Sequence, residues 1–98
     1  MKKSVNQISK ILRELDSFIR KEYKVSELKI FGSYAKKKNV PNSDLDLLVS
    51  FSETPSLIKF IKLENFLSDK IGIKVDLVMK DSIKQQLRDS ILSTSIQI

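Results

Sequence analysis

Two aspartates separated by a single residue open a segment of alternating apolar character, residues 44–51 (DLDLLVSF). The apolar members of the alternation are Leu45, Leu47, Val49 and Phe51. This alternation predicts a β-strand with one apolar face. Because side chains two residues apart in a strand point to the same face, Asp44 and Asp46 are expected to project together from the opposite face.

The Asp44/Asp46 pair is unfavourable in a strand unless something compensates it, since Asp is a poor strand former and like charges on one face repel. A bound divalent cation would compensate for the poor strand propensity and the repulsion, because Mg²⁺ binds carboxylate oxygens and bridges substrate phosphates. The alternative is a solvent-exposed strand end that follows a turn at residues 41–43. The pair by itself leaves both interpretations open.

The other elements are predicted from hydrophobic periodicity and capping residues. They are a helix over Ser4–Tyr23 with Ser4 as N-cap, a strand over Leu28–Phe31, a short helix possible after it, a helix from Pro55-Ser56 to Gly72, a strand over Ile73–Met79 and a last helix carrying Ile83, Leu87 and Ile91. The apolar sides of the two long helices are assigned to Val5, Ile8, Ile11, Leu12, Leu15, Phe18 and Ile19, and to Leu57, Ile58, Ile61, Phe66 and Leu67. This order predicts one α/β (α+β) domain over residues 1–98, a small mixed β-sheet flanked by helices.

Composition narrows the chemistry and the setting of the protein. The chain contains no Cys and no His, which excludes disulfides, zinc sites of the usual kind and Ser-His or Cys-His catalysis. Acid–base or metal chemistry must therefore use carboxylates, Lys, Tyr or Ser. No apolar run approaches the length of a membrane span, and no signal-peptide core follows Lys2-Lys3. We therefore expect a cytoplasmic protein without a membrane partner.

The net charge of +6 is unevenly distributed. Residues 1–38 hold eleven Lys or Arg against four Asp or Glu, whereas residues 39–98 hold seven against eight. A basic half suits an anionic ligand or partner, although charge alone favours a merely solvated surface. The 7% of aromatic residues fall mostly at core-like positions and supply no stacking platform, so direct nucleic-acid binding is the less favoured interpretation.

Two further features carry candidate chemistry. Gly32-Ser33 follows the first predicted strand. Gly permits close backbone approach to a ligand, and Ser33 can offer its hydroxyl and amide to a phosphate. Alone, this pair more often marks a tight turn with a helix cap.

Asp76 lies opposite Ile73, Val75 and Leu77 by strand parity. If its face adjoins that of the Asp44/Asp46 pair, three carboxylates converge and could hold two Mg²⁺ ions; otherwise Asp76 is an edge or capping residue.

Together these residues resemble a known signature. Gly32-Ser33-Tyr34-Ala35 followed by residues 43–49 (SDLDLLV) looks like the motif of the DNA polymerase beta-like nucleotidyltransferase superfamily, and within it the minimal nucleotidyltransferases (MNT). A third Asp on a later strand, here Asp76, and the closing segment 87–92 also fit, so the resemblance covers about residues 10–98. It implies the nucleotidyltransferase core fold.

The resemblance also implies an activity and roles for the site residues. A nucleoside monophosphate, expected to be AMP from ATP, would pass to an acceptor hydroxyl with release of pyrophosphate. Gly32, Ser33 and Lys36 would bind the nucleotide. The metal ligands would be Asp44, Asp46 and Asp76, holding two Mg²⁺ ions, and Asp76 would also orient the attacking hydroxyl. In place of the Arg-Gly that family members often carry, this chain has Lys36-Lys37-Lys38, which keeps positive charge but loses the bidentate grip of Arg.

The same resemblance suggests a partner. MNT proteins are commonly antitoxins paired with a HEPN-type RNase toxin, and some attach AMP to a toxin tyrosine. We therefore expect an antitoxin that acts on such a toxin. The alternative is a catalytically weak or inactive binding module that neutralises its partner by covering it.

Overall fold

The computed structural model describes residues 4–32, 34, 44–84, 89, 91–93 and 95–98. Its elements are α1 (Val5–Tyr23), β1 (Val25–Phe31), β2 (Leu45–Phe51), α2 (Leu57–Ile71), β3 (Val75–Met79), a 3₁₀ turn (Lys80–Ser82) and β4 (Ile96–Gln97). The predicted fold class, a small mixed sheet flanked by helices, is confirmed. The short helix considered after the first strand lies outside the described residues. Of the predicted last helix, Asp89 and residues 91–93 are described and are helical. Ile83, which was assigned to that helix, has an extended backbone instead, and Leu87 lies outside the described residues.

The helix ends lie where their capping residues predict. Ser4 caps α1 by accepting a hydrogen bond from the Gln7 backbone N–H at 3.2 Å, and the Gln7 side chain accepts one from the Ser4 N–H at 2.8 Å. Ser56 caps α2 in the same manner through the Lys59 N–H. Gly72 ends α2 in the left-handed conformation with φ +79°, which is typical of a glycine C-cap.

The four strands form one sheet in the order β3-β2-β1-β4. β1 pairs antiparallel with β2 and β4, whereas β2 pairs parallel with β3. The end of β1 and the starts of β2 and β3 therefore lie at the same end of the sheet. Two strand limits were predicted imprecisely, since β1 begins at Val25 and β3 at Val75. Strand β4 was not predicted, because a pair of residues is too short to display an alternation.

The hydrophobic core lies between the two long helices and one face of the sheet. It contains Ile8, Leu12 and Ile19 of α1, Leu63, Leu67 and Ile71 of α2, and Leu28, Ile30, Leu45, Leu47, Val49, Val75 and Leu77 of the strands. Tyr34 joins this cluster and is only 3% exposed. Leu48, by strand parity, is buried on the opposite face.

Some residues assigned to the apolar helix sides are exposed, so that part of the prediction is wrong. Leu57, Ile58 and Ile61 are 74%, 70% and 45% exposed, and Phe18 is 46% exposed. The buried stripe of α2 repeats through Leu63, Leu67 and Ile71. At 3.6 residues per turn the three N-terminal residues lie outside this stripe, with Ile58 on the opposite side of the helix. Phe18 instead packs beside Phe66 of α2, with ring centroids 5.1 Å apart.

Within the described part of the chain, none of the helices combines the length and apolar character needed to cross a membrane.

Candidate active site

The register of the sheet brings the candidate carboxylates to one end of it. In the parallel β2–β3 pair, Asp46 lies directly beside Asp76, and in the antiparallel β1–β2 pair, Asp46 lies beside Phe31. Asp44 immediately precedes β2 and shares the face of Asp46 by strand parity. This face is the one opposite the helices, because the intervening Leu45 and Leu47 are in the core. The three acids therefore have direct access from solvent on the side that α1 and α2 leave uncovered.

Asp46 is the electrostatic centre of this group. Burial raises the pKa of Asp46 above the ordinary value of 3.8, and the negative charges of Asp76 and then Asp44 raise it further. All three causes penalise the same ionised form of the carboxyl group. A cation bound between these carboxylates would offset the two charge effects, from Asp76 and Asp44, because it replaces repulsion by attraction.

Asp44 has one described cationic neighbour. Lys74 Nζ lies 4.0 Å from Asp44 Oδ2, at the outer limit of an ion pair, and the two side chains are 79% and 47% exposed. An ion pair this exposed contributes little stability and is readily broken. Asp44 is thus free to turn toward a ligand at modest cost.

Gly32 is required by its conformation and by its neighbour. Its φ is +72°, in the left-handed region that favours glycine. A side chain there would also collide with Asp46, because a Cβ on Gly32 would lie 3.0 Å from Asp46 Cγ and nearer still to its Oδ2. The close neighbour of this glycine is thus the Asp46 carboxylate, and the close approach of a ligand to Gly32 stays a prediction. Ser33 and Lys36, the other predicted nucleotide-binding residues, lie outside the described residues.

The donor set fits a divalent cation of the Mg²⁺ type in its chemistry, since hard cations prefer carboxylate oxygens. Among the residues that the structure describes, no group of three or more acidic, His or Cys side chains already surrounds one point at metal-binding distance. Mg²⁺ is usually held by one or two carboxylates and completed by water and substrate phosphates. The adjacent strand positions Asp46 and Asp76 supply two carboxylates of this kind.

Sequence reasoning assigned no role to three residues that support the site, although one of them, Tyr34, belongs to the motif. Tyr34 anchors the chain just after Gly32 in the core. Glu64 and Ser68 of α2 accept hydrogen bonds from the backbone of β3 on either side of Asp76. The sequence signal for Glu64 and Ser68 is a pair of polar residues, four apart, beside the buried stripe of α2, since such residues face the same neighbour.

Comparison with known proteins assigns the chain to a family. Residues 5–98 match the model of the nucleotidyltransferase domain. A protein of Methanocaldococcus jannaschii, provisionally named a protein adenylyltransferase, is 49% identical over 82 residues, which are 84% of each chain. The protein adenylyltransferase MntA of Thermococcus cleftensis is 38% identical over 95 residues, covering 97% of this chain and 96% of that protein.

Solved structures are similar over the same region. A provisionally named minimal nucleotidyltransferase superimposes with a TM-score of 0.84 at 26% identity, covering 98% of this chain and 97% of the other. A chain from a toxin–antitoxin crystal structure with AMP-PNP gives a TM-score of 0.68 at 28% identity, covering 94% of this chain and 69% of that one.

Substituting Gly32 with Ala is expected to destabilise the protein more than the same substitution at Gly72. Both glycines are left-handed, and this conformation costs Ala about 1–2 kcal/mol. Only Gly32→Ala also forces the Asp46 carboxylate aside. Thermal melting of the two variants measures the difference, and equal losses would show that Gly32 does not constrain Asp46.

The Asp46→Asn variant is expected to be more stable than the wild type at pH 7 without divalent metal. The folded state binds the Asp46 proton more tightly than the unfolded chain does, so the free energy of unfolding falls as pH rises through the two pKa values. After solvent screening the gain is at most about 0.5 kcal/mol, hence at most about 2–4 °C in melting temperature.

Measuring the stability gain of Asp46→Asn at several pH values tests this prediction. The gain should vanish below pH 3.8, the ordinary pKa of Asp, and the exposed Glu53→Gln should serve as a control without a gain at pH 7. An Asp46→Asn variant less stable than wild type at pH 7 would show that the ionised Asp46 carboxylate does not destabilise the folded protein.

Proposed function

Because the chain belongs to the nucleotidyltransferase domain family, we propose that it transfers AMP from ATP to a hydroxyl group of a partner protein. The observation that carries the proposal is the β2–β3 register, which holds Asp46 beside Asp76 on the face away from the helices. Relatives named protein adenylyltransferases support the choice of AMP and of a protein acceptor.

We propose Asp44, Asp46 and Asp76 as the residues that hold two Mg²⁺ ions together with the phosphates of ATP. When bound, the metal neutralises negative charge that develops on the phosphate oxygens during transfer. Asp46 gains from such a cation, because burial and the charges of Asp76 and Asp44 raise its pKa. Gly32 leaves room for that carboxylate. Gly32, Ser33 and Lys36 are proposed to contact the triphosphate.

The transfer itself joins the acceptor oxygen to the α-phosphorus of ATP. The bond from that phosphorus to the oxygen bridging the β-phosphate breaks, and its electron pair leaves with pyrophosphate. Asp76 is proposed to accept the proton of the attacking hydroxyl, and its exposure to solvent allows a large acceptor to reach it. Positioned charge of this kind is where most of the rate enhancement of phosphoryl transfer originates.

The proposed acceptor is a tyrosine of a HEPN-type toxin, which makes the chain the antitoxin of the pair. Its support is the similarity to chains from toxin–antitoxin structures, one of them with AMP-PNP. The exposed apolar residues at the start of α2, Leu57, Ile58 and Ile61, also favour a protein partner, since large exposed apolar groups that lie together often mark interaction surfaces.

The same exposed residues also support a second function, in which the chain neutralises its partner by covering it and transfers no AMP. The two functions differ in their dependence on the carboxylates. Covering needs only the contact surface, whereas transfer needs Asp44, Asp46 and Asp76.

Transfer is tested with the purified chain, a HEPN-domain partner, Mg²⁺ and ATP labelled at the α-phosphate. The wild type should label the partner. The double variant Asp44→Asn/Asp46→Asn should lose at least about 10²–10³-fold in labelling rate, the usual cost of removing one preorganised charge-stabilising group. The matched control Glu53→Gln/Asp69→Asn makes the same change in charge at exposed positions and should label like wild type.

Three outcomes separate the alternatives. Labelling that persists in the Asp44/Asp46 double variant contradicts the proposed active site. Loss of labelling together with continued neutralisation of the toxin supports the covering function. Loss of both supports AMP transfer as the means of neutralisation.

A further inference from the structure

Strand β3 forms one edge of the sheet, and its outer side is bonded to α2. The Val75 N–H donates to Ser68 Oγ at 2.9 Å, and the Leu77 N–H donates to Glu64 Oε2 at 2.9 Å. These two donors flank Asp76 directly in sequence. On an edge strand the outward N–H groups ordinarily have no strand to bond to, so here side chains of a helix replace a neighbouring strand.

The spacing of the two acceptors matches the spacing of the two donors. Four residues along an α-helix, from Glu64 to Ser68, advance about 6.0 Å. Two residues along a strand, from Val75 to Leu77, advance about 6.6 Å. The helix and strand run in opposite directions, since the later acceptor meets the earlier donor. One stretch of α2 can therefore hold both amides without distortion of either element.

The acceptors are themselves fixed by the end of α2. Ser68 Oγ donates to the Glu64 backbone carbonyl at 2.9 Å, and the Gly72 N–H donates to the Ser68 carbonyl at 2.8 Å. Both side-chain bonds to β3 are partly buried, which shields them from competition by water. We call Glu64 and Ser68 the edge clamp of β3.

Asp76 is thus held from both sides. Successive N–H groups of a strand point to opposite edges, so with Val75 and Leu77 bonded to α2, the peptide of Asp76 faces β2. Across that pairing lies Asp46, whose negative charge repels Asp76. The backbone pairing to β2 holds β3 on the near side, and the edge clamp attaches it on the far side.

We propose that Glu64 and Ser68 are positioning residues, which hold Asp76 at the distance from Asp46 that allows both carboxylates to bind one metal ion with nucleotide. This inference rests on the proposed function, because it assumes that Asp76 is a metal ligand. Neither side chain touches substrate; both act on the backbone beside Asp76. Loss of the clamp lets the two carboxylates separate and weakens the metal site without removing a ligand.

The test compares substitutions at Glu64 in the full chain. Glu64→Leu retains bulk and removes the acceptor, whereas Glu64→Gln retains an oxygen that can accept the Leu77 N–H. Asp69→Leu is the matched control, since it removes an exposed carboxylate from the same helix. Binding of Mn²⁺ in the presence of a non-hydrolysable ATP analogue is followed by electron paramagnetic resonance, and AMP transfer and thermal melting are measured alongside.

We expect Glu64→Leu to weaken Mn²⁺ binding about 10-fold, as is usual for groups that orient metal ligands. Glu64→Gln should restore binding close to wild type, and Asp69→Leu should leave it unchanged. A purely structural role predicts a lower melting temperature with unaltered Mn²⁺ affinity, and that result would overturn the inference. If Glu64→Leu does not fold, Ser68→Ala is used instead, because it removes the acceptor of the Val75 N–H. It too should weaken Mn²⁺ binding, and unaltered Mn²⁺ affinity would overturn the inference.

The proposed function and this inference can fail separately. A wild-type chain that binds Mn²⁺ with the analogue but transfers no AMP contradicts the function and leaves the clamp standing. Normal transfer and normal Mn²⁺ affinity in the clamp variants contradict the inference alone. Absence of Mn²⁺ binding in the wild type contradicts both.

Discussion

The parallel pairing of β2 with β3 is the constraint on which the site depends. It places Asp46 beside Asp76, and like charges on neighbouring strand positions are destabilising. The sheet tolerates them because the alternate residues are deeply buried: Leu45 and Leu47 are 0% exposed, and Leu77 is 5% exposed. Apolar burial on one face thus fixes a register that imposes repulsion on the other.

The residues around the carboxylates also fix the backbone and leave the carboxylates accessible. Gly32 leaves space against Asp46 that no side chain could share. Tyr34 anchors the chain after it in the core, and the edge clamp attaches β3 to α2. Each support acts on backbone position, so the carboxylates themselves remain available to a ligand. Repulsion between these carboxylates costs stability in the free protein, and the proposed cation would recover it on binding.

Local signals in the sequence were sufficient for much of this fold. The caps at Ser4, Ser56 and Gly72 were readable because a cap depends on residues within one helical turn. The alternation from Leu45 to Phe51 predicted β2 and the shared face of its two acids. Strand parity likewise predicted the face of Asp76, while its adjacency to Asp46 required the order of strands, which parity alone does not give.

The features that were missed or misassigned depend on non-local contacts. The bonds from Glu64 and Ser68 to β3 join positions 13 and 7 residues apart, and no periodicity reports them. Strand β4 exists because the backbone of β1 offers an open edge. The residues Leu57, Ile58 and Ile61 were assigned to the apolar side of α2 and are exposed, because periodicity identifies an apolar residue without saying which surface covers it. For these three, a partner protein is the proposed cover.

The central claim is that the sheet gathers carboxylates whose repulsion a divalent cation relieves. Carbon-13 NMR of the aspartate carboxyl groups tests it most directly, by titrating Asp46 with pH in the absence and presence of Mg²⁺ and a non-hydrolysable ATP analogue. The account predicts a raised Asp46 pKa in the free protein and a marked fall when both ligands are added. An Asp46 pKa that does not change on their addition would contradict it.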